Sequence, residues 1–302
     1  MAVGYICETM NNNKVSYNGE LIDSNLNYFK DNRAFKYGDG VFESIRVING
    51  SIFGFQPHFE RLIQGAELLS IEIPSYFSLD FFKTEISKLL NANEIKAGGG
   101  VRLHLFRKGA GNFLSDSNEP EFLITAKEIQ DNLYKLNEEG YLMDIYSQVR
   151  KEKNILANLK TGNSLLYVMA MNDAAKKGND GAFILNNVGN IIETADSNLF
   201  LVSNGVLYTP PLTDGCVGGT MRMRLINTAI KHKIKVYEST ITPQNLLAAD
   251  EVVLTNAIKG VQWVGGYKTK RYYNQMARTL IGLVNGEEAS LKLDLQGNSQ
   301  SL

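Results

Sequence analysis

The polar stretch over residues 128–139 does most to limit what this chain can fold into. Short apolar alternations punctuated by Gly and Asn lie on both sides of it, and the stretch reads as a crossing between two domains. It divides 302 residues into segments that can each hold a core, 1–127 and 140–285, followed by a polar tail at 286–302.

The first half reads as strands plus two helices, an α+β arrangement. Residues 13–17 form a short strand turned by Asn18-Gly19. From Val41 to Val47 the alternation puts Val41, Glu43, Ile45 and Val47 on one face and Phe42, Ser44 and Arg46 on the other. Asn49-Gly50 is a hairpin turn with Ser51–Phe55 as the return strand. Pro57 opens a helix to about Ser70, and residues 79–92 form a second. Gly98-Gly99-Gly100 breaks the chain. Val101–Arg107 is a strand with Arg102, His104 and Phe106 on one face. A loop at 108–112 follows, then a strand at Phe122–Ala126.

The second half alternates strands and helices. Strands are expected at Tyr141–Val149, Gly181–Leu185, Ile191–Glu193, Leu199–Val202 and Lys233–Tyr237. Helices are expected at Leu165–Ala175, Met221–Lys231, Pro243–Ala248 and Arg271–Val284. Gly178 caps the first of these helices, after Lys176-Lys177 near the negative end of its dipole.

A formal net charge of −1 and 21% charged residues give no electrostatic footprint for nucleic acid or an anionic membrane. His58, His104 and His232 are scattered, so no metal site is expected. Cys7 and Cys216 imply no disulfide framework, although a single bridge between them stays open. Met1–Tyr5 lacks the basic start and apolar run of a secretion signal, and no window approaches the roughly 20 apolar residues of a spanning helix. A cytoplasmic protein acting on a small molecule is expected.

Three places carry possible chemistry. Lys160, in Asn158-Leu159-Lys160-Thr161-Gly162-Asn163, precedes a helical run, but most of the 31 Lys and Arg must be solvated and one lysine is weak evidence. Glu193 lies in an otherwise apolar strand, either as an edge charge or as a buried partner for a cation. Gly218-Gly219-Thr220 leads into a helix whose first amides and dipole suit an anion, which is also how an ordinary helix begins.

Taken in order, the residues resemble a family. Tyr37-Gly38-Asp39-Gly40-Val41-Phe42-Glu43, then Lys160, Glu193, Asn198-Leu199-Phe200, Gly218-Gly219-Thr220-Met221-Arg222 and Thr255-Asn256-Ala257 are similar to the class IV, fold type IV enzymes that use pyridoxal phosphate. Branched-chain and D-amino-acid aminotransferases and aminodeoxychorismate lyases belong to it. The resemblance spans roughly residues 10–285. It implies two domains, a small N-terminal α+β domain and a larger C-terminal one with a barrel-like sheet. It implies that Lys160 holds the cofactor as a Schiff base and moves the proton at the substrate Cα. Glu193 would keep the ring nitrogen protonated. Arg61, Asn198, Gly219, Thr220, Met221, Asn256 and Ala257 would hold the rest of the cofactor. Tyr37, Ser44, Arg46, Arg107 and Asn112 would line the substrate, with Arg102 a further arginine for its carboxylate.

The resemblance also implies a homodimer in which loop 108–114 closes the neighbour's site. The implied reaction moves an amino group between an amino acid and a 2-oxo acid. The alternative is a lyase releasing 4-aminobenzoate and pyruvate from aminodeoxychorismate, for folate synthesis. Leu165 stands where the branched-chain branch has tyrosine. Phe42, Asn112 and Leu114 stand where the D-amino-acid branch has tyrosine, arginine and histidine.

Overall fold

The structure, a computed structural model, describes residues 14–23 and 32–297, with side chains as far as Gly286. Cys7, the first residue of the strand expected at 13–17 and the last residues of the tail lie outside the described residues. The chain separates into two compact units. One comprises the residues up to Asn132 together with Leu159–Ser164; the other comprises Leu133–Asn158 and the chain from Leu165 onward.

In the first unit the elements are β1 (Lys14–Tyr17), β2 (Glu20–Asp23), α1 (Arg33–Tyr37), β3 (Gly40–Ile48), β4 (Ser51–Ile52), α2 (Phe55–Leu68), α3 (Leu79–Ala92), β5 (Gly99–Arg107) and β6 (Pro120–Glu128). They build an antiparallel six-stranded sheet in the order β2-β1-β6-β5-β3-β4. Its two faces follow from the alternation in sequence. Val41, Ile45, Val47, Val101, Leu103, Leu105, Phe122 and Ile124 share a core with Leu62 and Ala66 of α2 and Phe82, Ile86, Leu89 and Leu90 of α3. Phe82 is fully buried among Phe59, Phe77, Phe81 and Phe122. Truncating such a ring costs about 3–5 kcal/mol. The opposite face carries Phe42, Ser44, Arg46, Arg102 and His104.

Three local expectations change. The return strand stops at Ile52, because Gly54 takes φ 55° and the chain turns straight into α2 at Phe55, two residues before Pro57. Gly99 and Gly100 do not break the chain but open β5, opposite Val47 and Arg46. The segment 159–164, assigned by sequence to the second domain, packs with the first unit.

The second unit contains β7 (Tyr141–Lys151), α4 (Leu165–Lys176), β8 (Gly181–Asn186), β9 (Ile191–Thr194), β10 (Asn198–Ser203), β11 (Val206–Thr209), α5 (Thr220–Lys231), β12 (Val236–Glu238), α6 (Pro243–Ala248), β13 (Glu251–Asn256), β14 (Gly260–Tyr267), β15 (Lys270–Arg271) and α7 (Gln275–Gly297). The sheet order is β12-β11-β10-β13-β14-β7-β8-β9, with β15 beside β14. This sheet cannot be flat. Its end strand β9 is joined to β10 by Ala195–Ser197 alone, which spans at most about 14 Å. Five strand spacings in a flat sheet would separate them by about 24 Å. The sheet therefore curls until β9 returns to β10, the barrel-like form expected. Phe183 and Leu185 point to one core with Leu199, Leu201, Val252 and Leu254. Ala182 and Ile184 point to another with Ala170 and Ala174 of α4.

Strand β14 was not anticipated from sequence. Its Gly265 lies so close to Gly140 that a Cβ on Gly140 would sit 2.4 Å from Gly265 Cα, an approach that alternation does not encode. Helix α7 begins at Gln275 rather than Arg271, since Arg271 pairs in β15, and it runs on through Gly297. The polar tail is thus helical over most of its length. Gly286 costs about 1 kcal/mol, too little to stop a run of good helix formers such as Glu287-Glu288-Ala289. No helix among the described residues is long and apolar enough to cross a membrane.

Candidate active site

In the first unit the site is built on the polar face of β3. Segment 159–164 adds a short rung to that strand. Phe42 N donates to Lys160 O at 2.8 Å, Gly162 N donates to Gly40 O at 2.8 Å, and Val41 bridges to Thr161. Glycine is required here, because a Cβ on Gly162 would lie 2.8 Å from Gly38 O. The rung fixes Lys160 beside Phe42, with Nζ 4.6 Å from the ring centroid. Arg102 Cζ lies 3.8 Å from the same centroid. These are cation–π distances.

Arg102 is fastened on a second side. Its Nε donates to His104 Nε2 at 2.9 Å, and His104 meets Phe42 edge-on at 5.3 Å. Arginine only donates, so His104 Nε2 carries no proton and the ring is neutral, protonated at Nδ1. Burial, helped by the Arg102 charge, pulls His104 down to about 4. Burial also lowers Arg102. Its two terminal nitrogens have no acceptor among the described residues. Ser44 is its cross-strand partner.

The other expected residues of this unit have defined places. Arg61 grips the buried Glu43 through Nε at 2.7 Å and Nη2 at 2.6 Å, and His58 Nδ1 lies 2.6 Å from the same carboxylate. Burial pushes Glu43 upward, but the Arg61 charge and the hydrogen bonds from His58 and Arg61 outweigh it and hold the group at about 2. Arg46 is buried and donates to Asp131 O.

Arg107 is tied into the end of β5. It donates to Asp39 at 3.0 Å, Ser70 O at 3.1 Å, Asn118 at 2.5 Å and Leu69 O. Asp39 also accepts from Arg33 at 2.8 Å. Arg33 in turn donates to Ala110 O at 3.0 Å, Asn112 O at 2.8 Å and Phe113 O at 3.3 Å. Asn112 thus enters through its backbone, and Tyr37 OH donates to Gly111 O at 3.4 Å. The result is an ordered loop whose Phe113 and Leu114 are 92% and 88% exposed.

In the second unit Glu193 is buried on β9 and accepts three hydrogen bonds. Lys151 Nζ at 2.7 Å and Tyr167 OH at 2.8 Å reach Oε1, and Val217 N reaches Oε2 at 2.7 Å. Burial first, then the Glu193 charge, pushes Tyr167 upward, so it keeps its proton and donates. The same two causes push the buried Cys216 thiol up to about 12. Lys151 and Tyr167 were not singled out in the sequence. Their spacing from Glu193 follows no local period, and only the fold joins them.

Val217 O accepts from Asn198 Nδ2 at 2.8 Å, which draws Asn198 to the start of α5. That helix is capped by Gly219, which has no side chain to occupy the first-turn amides, and its first turn has no acidic residue. Thr220 is its first residue and Met221 is buried. Asn256 at the end of β13 donates to Asp196 O at 2.6 Å and accepts from Ile258 N at 2.8 Å. Ala257 O accepts from Tyr134 OH at 2.9 Å.

Residues 40–266 match the family model described as amino-transferase class IV. The chain belongs to the class IV aminotransferases. A putative branched-chain-amino-acid aminotransferase of Methanocaldococcus jannaschii is 30% identical over 80% of this chain and 83% of its own. A D-alanine aminotransferase of Staphylococcus epidermidis is 27% identical over 80% and 85%. The crystal structure of a putative 4-amino-4-deoxychorismate lyase from Legionella pneumophila superposes with a TM-score of 0.79 at 27% identity, over 87% of this chain and 96% of that one. This class IV protein is an enzyme of fold type IV, and its cofactor is pyridoxal phosphate. The residues fit that group. Gly219 leaves no room for a side chain, since a Cβ would sit 1.9 Å from Asn198 Oδ1, and no side chain caps the first turn of α5, the kind of helix start that suits an anion. The Thr255 hydroxyl, on the strand beside Asn198, is buried with no hydrogen-bond partner among the described residues.

Proposed function

We propose that this aminotransferase moves an amino group between an amino acid and a 2-oxo acid, with Lys160 as the reacting amine and Arg102 as the cation for a substrate carboxylate. One observation carries this reading: the Lys160 amine and the Arg102 guanidinium both lie over the Phe42 ring, with Nζ and Cζ at 4.6 and 3.8 Å from its centroid. A substrate amino acid brings its amine and its carboxylate together, and one ring here carries both a lysine amine and an arginine. The two arginines differ in their availability. Arg107 is held by four acceptors, whereas Arg102 offers both terminal nitrogens.

Bound pyridoxal phosphate supplies an aldehyde for amines and a ring that accepts an electron pair. The protein's own contribution is to hold and to move protons. Lys160 takes and returns the proton at the substrate Cα, a step commonly worth 10²–10⁴-fold. Glu193, kept acceptor-ready by Lys151, Tyr167 and Val217, holds a proton on the ring nitrogen. Thr220 and the α5 amides after Gly219, with Asn198, Met221, Asn256 and Ala257, would hold the phosphate and ring. Tyr37, Ser44, Arg46, Arg107 and Asn112 shape the substrate side, Arg107 through the Asp39 it shares with Arg33 and Asn112 through the loop that Arg33 fastens.

Purified protein supplied with pyridoxal phosphate is expected to be yellow and to bleach with an amino donor. Lys160→Ala is expected to lose the visible band. A protein that stays colourless with added cofactor ends the reading. Screening L- and D-amino acids by this bleaching identifies the donor.

A lyase reading has one observation of its own. Ser44 places a hydroxyl side chain directly across from Arg102, and the lyase branch has a hydroxyl residue at this position. Incubation with aminodeoxychorismate decides it, since release of 4-aminobenzoate is required. The exposed Phe113 and Leu114 support a homodimer in which this loop meets a second copy. Sedimentation as a monomer at working concentration contradicts that.

A further inference from the structure

We propose that His104 is a positioning residue for substrate selection: it fixes which edge of Arg102 meets a carboxylate. The inference rests on the reading of Arg102 given above. A free arginine side chain has about 2 kcal/mol of rotamer entropy and presents several edges to an anion. Here two contacts from different directions remove that freedom. Phe42 holds the guanidinium carbon 3.8 Å from its ring centroid, and His104 Nε2 accepts from Nε–H at 2.9 Å. Phe42 and His104 are themselves cross-strand partners on β3 and β5, so the clamp is part of the sheet and not of a loop.

With Nε engaged, the side-on pair Nε/Nη is closed. Only the end-on pair Nη1/Nη2 remains, which matches the two oxygens of a carboxylate in a fork. His104 does not act as an acid or base in this arrangement, because its Nε2 lone pair is already used and it stays neutral. It carries no charge to compete with Arg102 for the anion. A leucine at this position would leave the Phe42 contact intact and release the Nε edge, so Arg102 would stay charged and lose its direction. A glutamine restores an acceptor without a ring.

The test uses the cofactor-loaded enzyme and glutarate, an unreactive dicarboxylate, with glutaramide as its uncharged analogue. Calorimetry with His104→Leu is expected to show glutarate bound about tenfold more weakly, with His104→Gln within about twofold of wild type. Against the amino donor, KM rises by a similar factor in His104→Leu while kcat changes little. Nitrogen-15 NMR of histidine-labelled wild type is expected to show His104 as the Nδ1–H tautomer, with the preference relaxed in Arg102→Met.

The outcomes separate. Wild-type enzyme that binds glutarate no better than glutaramide, or Arg102→Met that binds glutarate like wild type, removes the carboxylate reading of Arg102. If Arg102→Met is weak but His104→Leu binds like wild type, only the positioning role of His104 falls. An Nε2–H tautomer in the wild type overturns that role without any variant.

Discussion

Tyr167 OH donates a hydrogen bond to Glu193 Oε1 at 2.8 Å, and so ties helix α4 to strand β9. Lys151 reaches the same oxygen, and Val217 N takes the other. A carboxylate with three donors is oriented, and its remaining acceptor direction is defined before any cofactor arrives.

Tyr167→Phe is therefore expected to leave the fold intact and to loosen Glu193. A hydrogen bond to a charged group contributes about 1.5–3 kcal/mol. The variant should bind pyridoxal phosphate roughly tenfold more weakly and titrate its visible band at a different pH. Equilibrium dialysis and a spectrophotometric titration measure both. An unchanged titration would mean that Lys151 and Val217 hold Glu193 by themselves.

Gly219→Ala should affect the cofactor more than the fold. The added Cβ meets Asn198 Oδ1 at 1.9 Å, and Asn198 is fixed by its bond to Val217 O. Overpacking of this kind costs about 1–3 kcal/mol. Because α5 must shift, pyridoxal phosphate affinity is expected to fall at least tenfold. Dialysis against graded cofactor, alongside a melting curve of the cofactor-free protein, separates the two effects.

Glu43 makes the first unit acid-sensitive. Its folded value of about 2 lies below the ordinary 4.5. The stabilisation is therefore present above about pH 4.5 and is lost as pH falls toward 2. The shift corresponds to roughly 3 kcal/mol at neutral pH. Urea unfolding at pH 6 and pH 3 is expected to show this loss in the wild type. Glu43→Gln is expected to be less stable at pH 6, with a smaller difference between the two pH values, because it leaves Arg61 and His58 without their anion.

Arg33→Met should release the 108–114 loop without unfolding the sheet. Three loop carbonyls lose a donor from one buried side chain. Chymotrypsin is expected to cut beside the exposed Phe113 about ten times faster than in the wild type, read by mass spectrometry of the fragments. Equal cutting rates would show that the other ties of the loop suffice.

Local pattern carried much of this fold. Ser78 accepts from Phe81 N and marks the start of α3, and Thr242 with Asn245 boxes the start of α6, so those helices fell where capping chemistry puts them. The polar face of β5 was visible in the alternation of Arg102 and His104. What pattern could not hold was the choice between arginines. Arg102 and Arg107 lie on one short strand, and only the acceptors gathered at its end, Ser70 O and Leu69 O among them, tell them apart. The triad around Glu193 was equally hidden, since Lys151 and Tyr167 precede it by 42 and 26 residues.

Segment 159–164 belongs to the first unit, while the residues on both sides of it belong to the second. Its consequence is genealogical. A gene break at Asn132 yields a first unit without its lysine and a second with a foreign strand rung, so neither piece can be shuffled into another protein with its chemistry intact. The six residues around Lys160 thus make the two units a single heritable part.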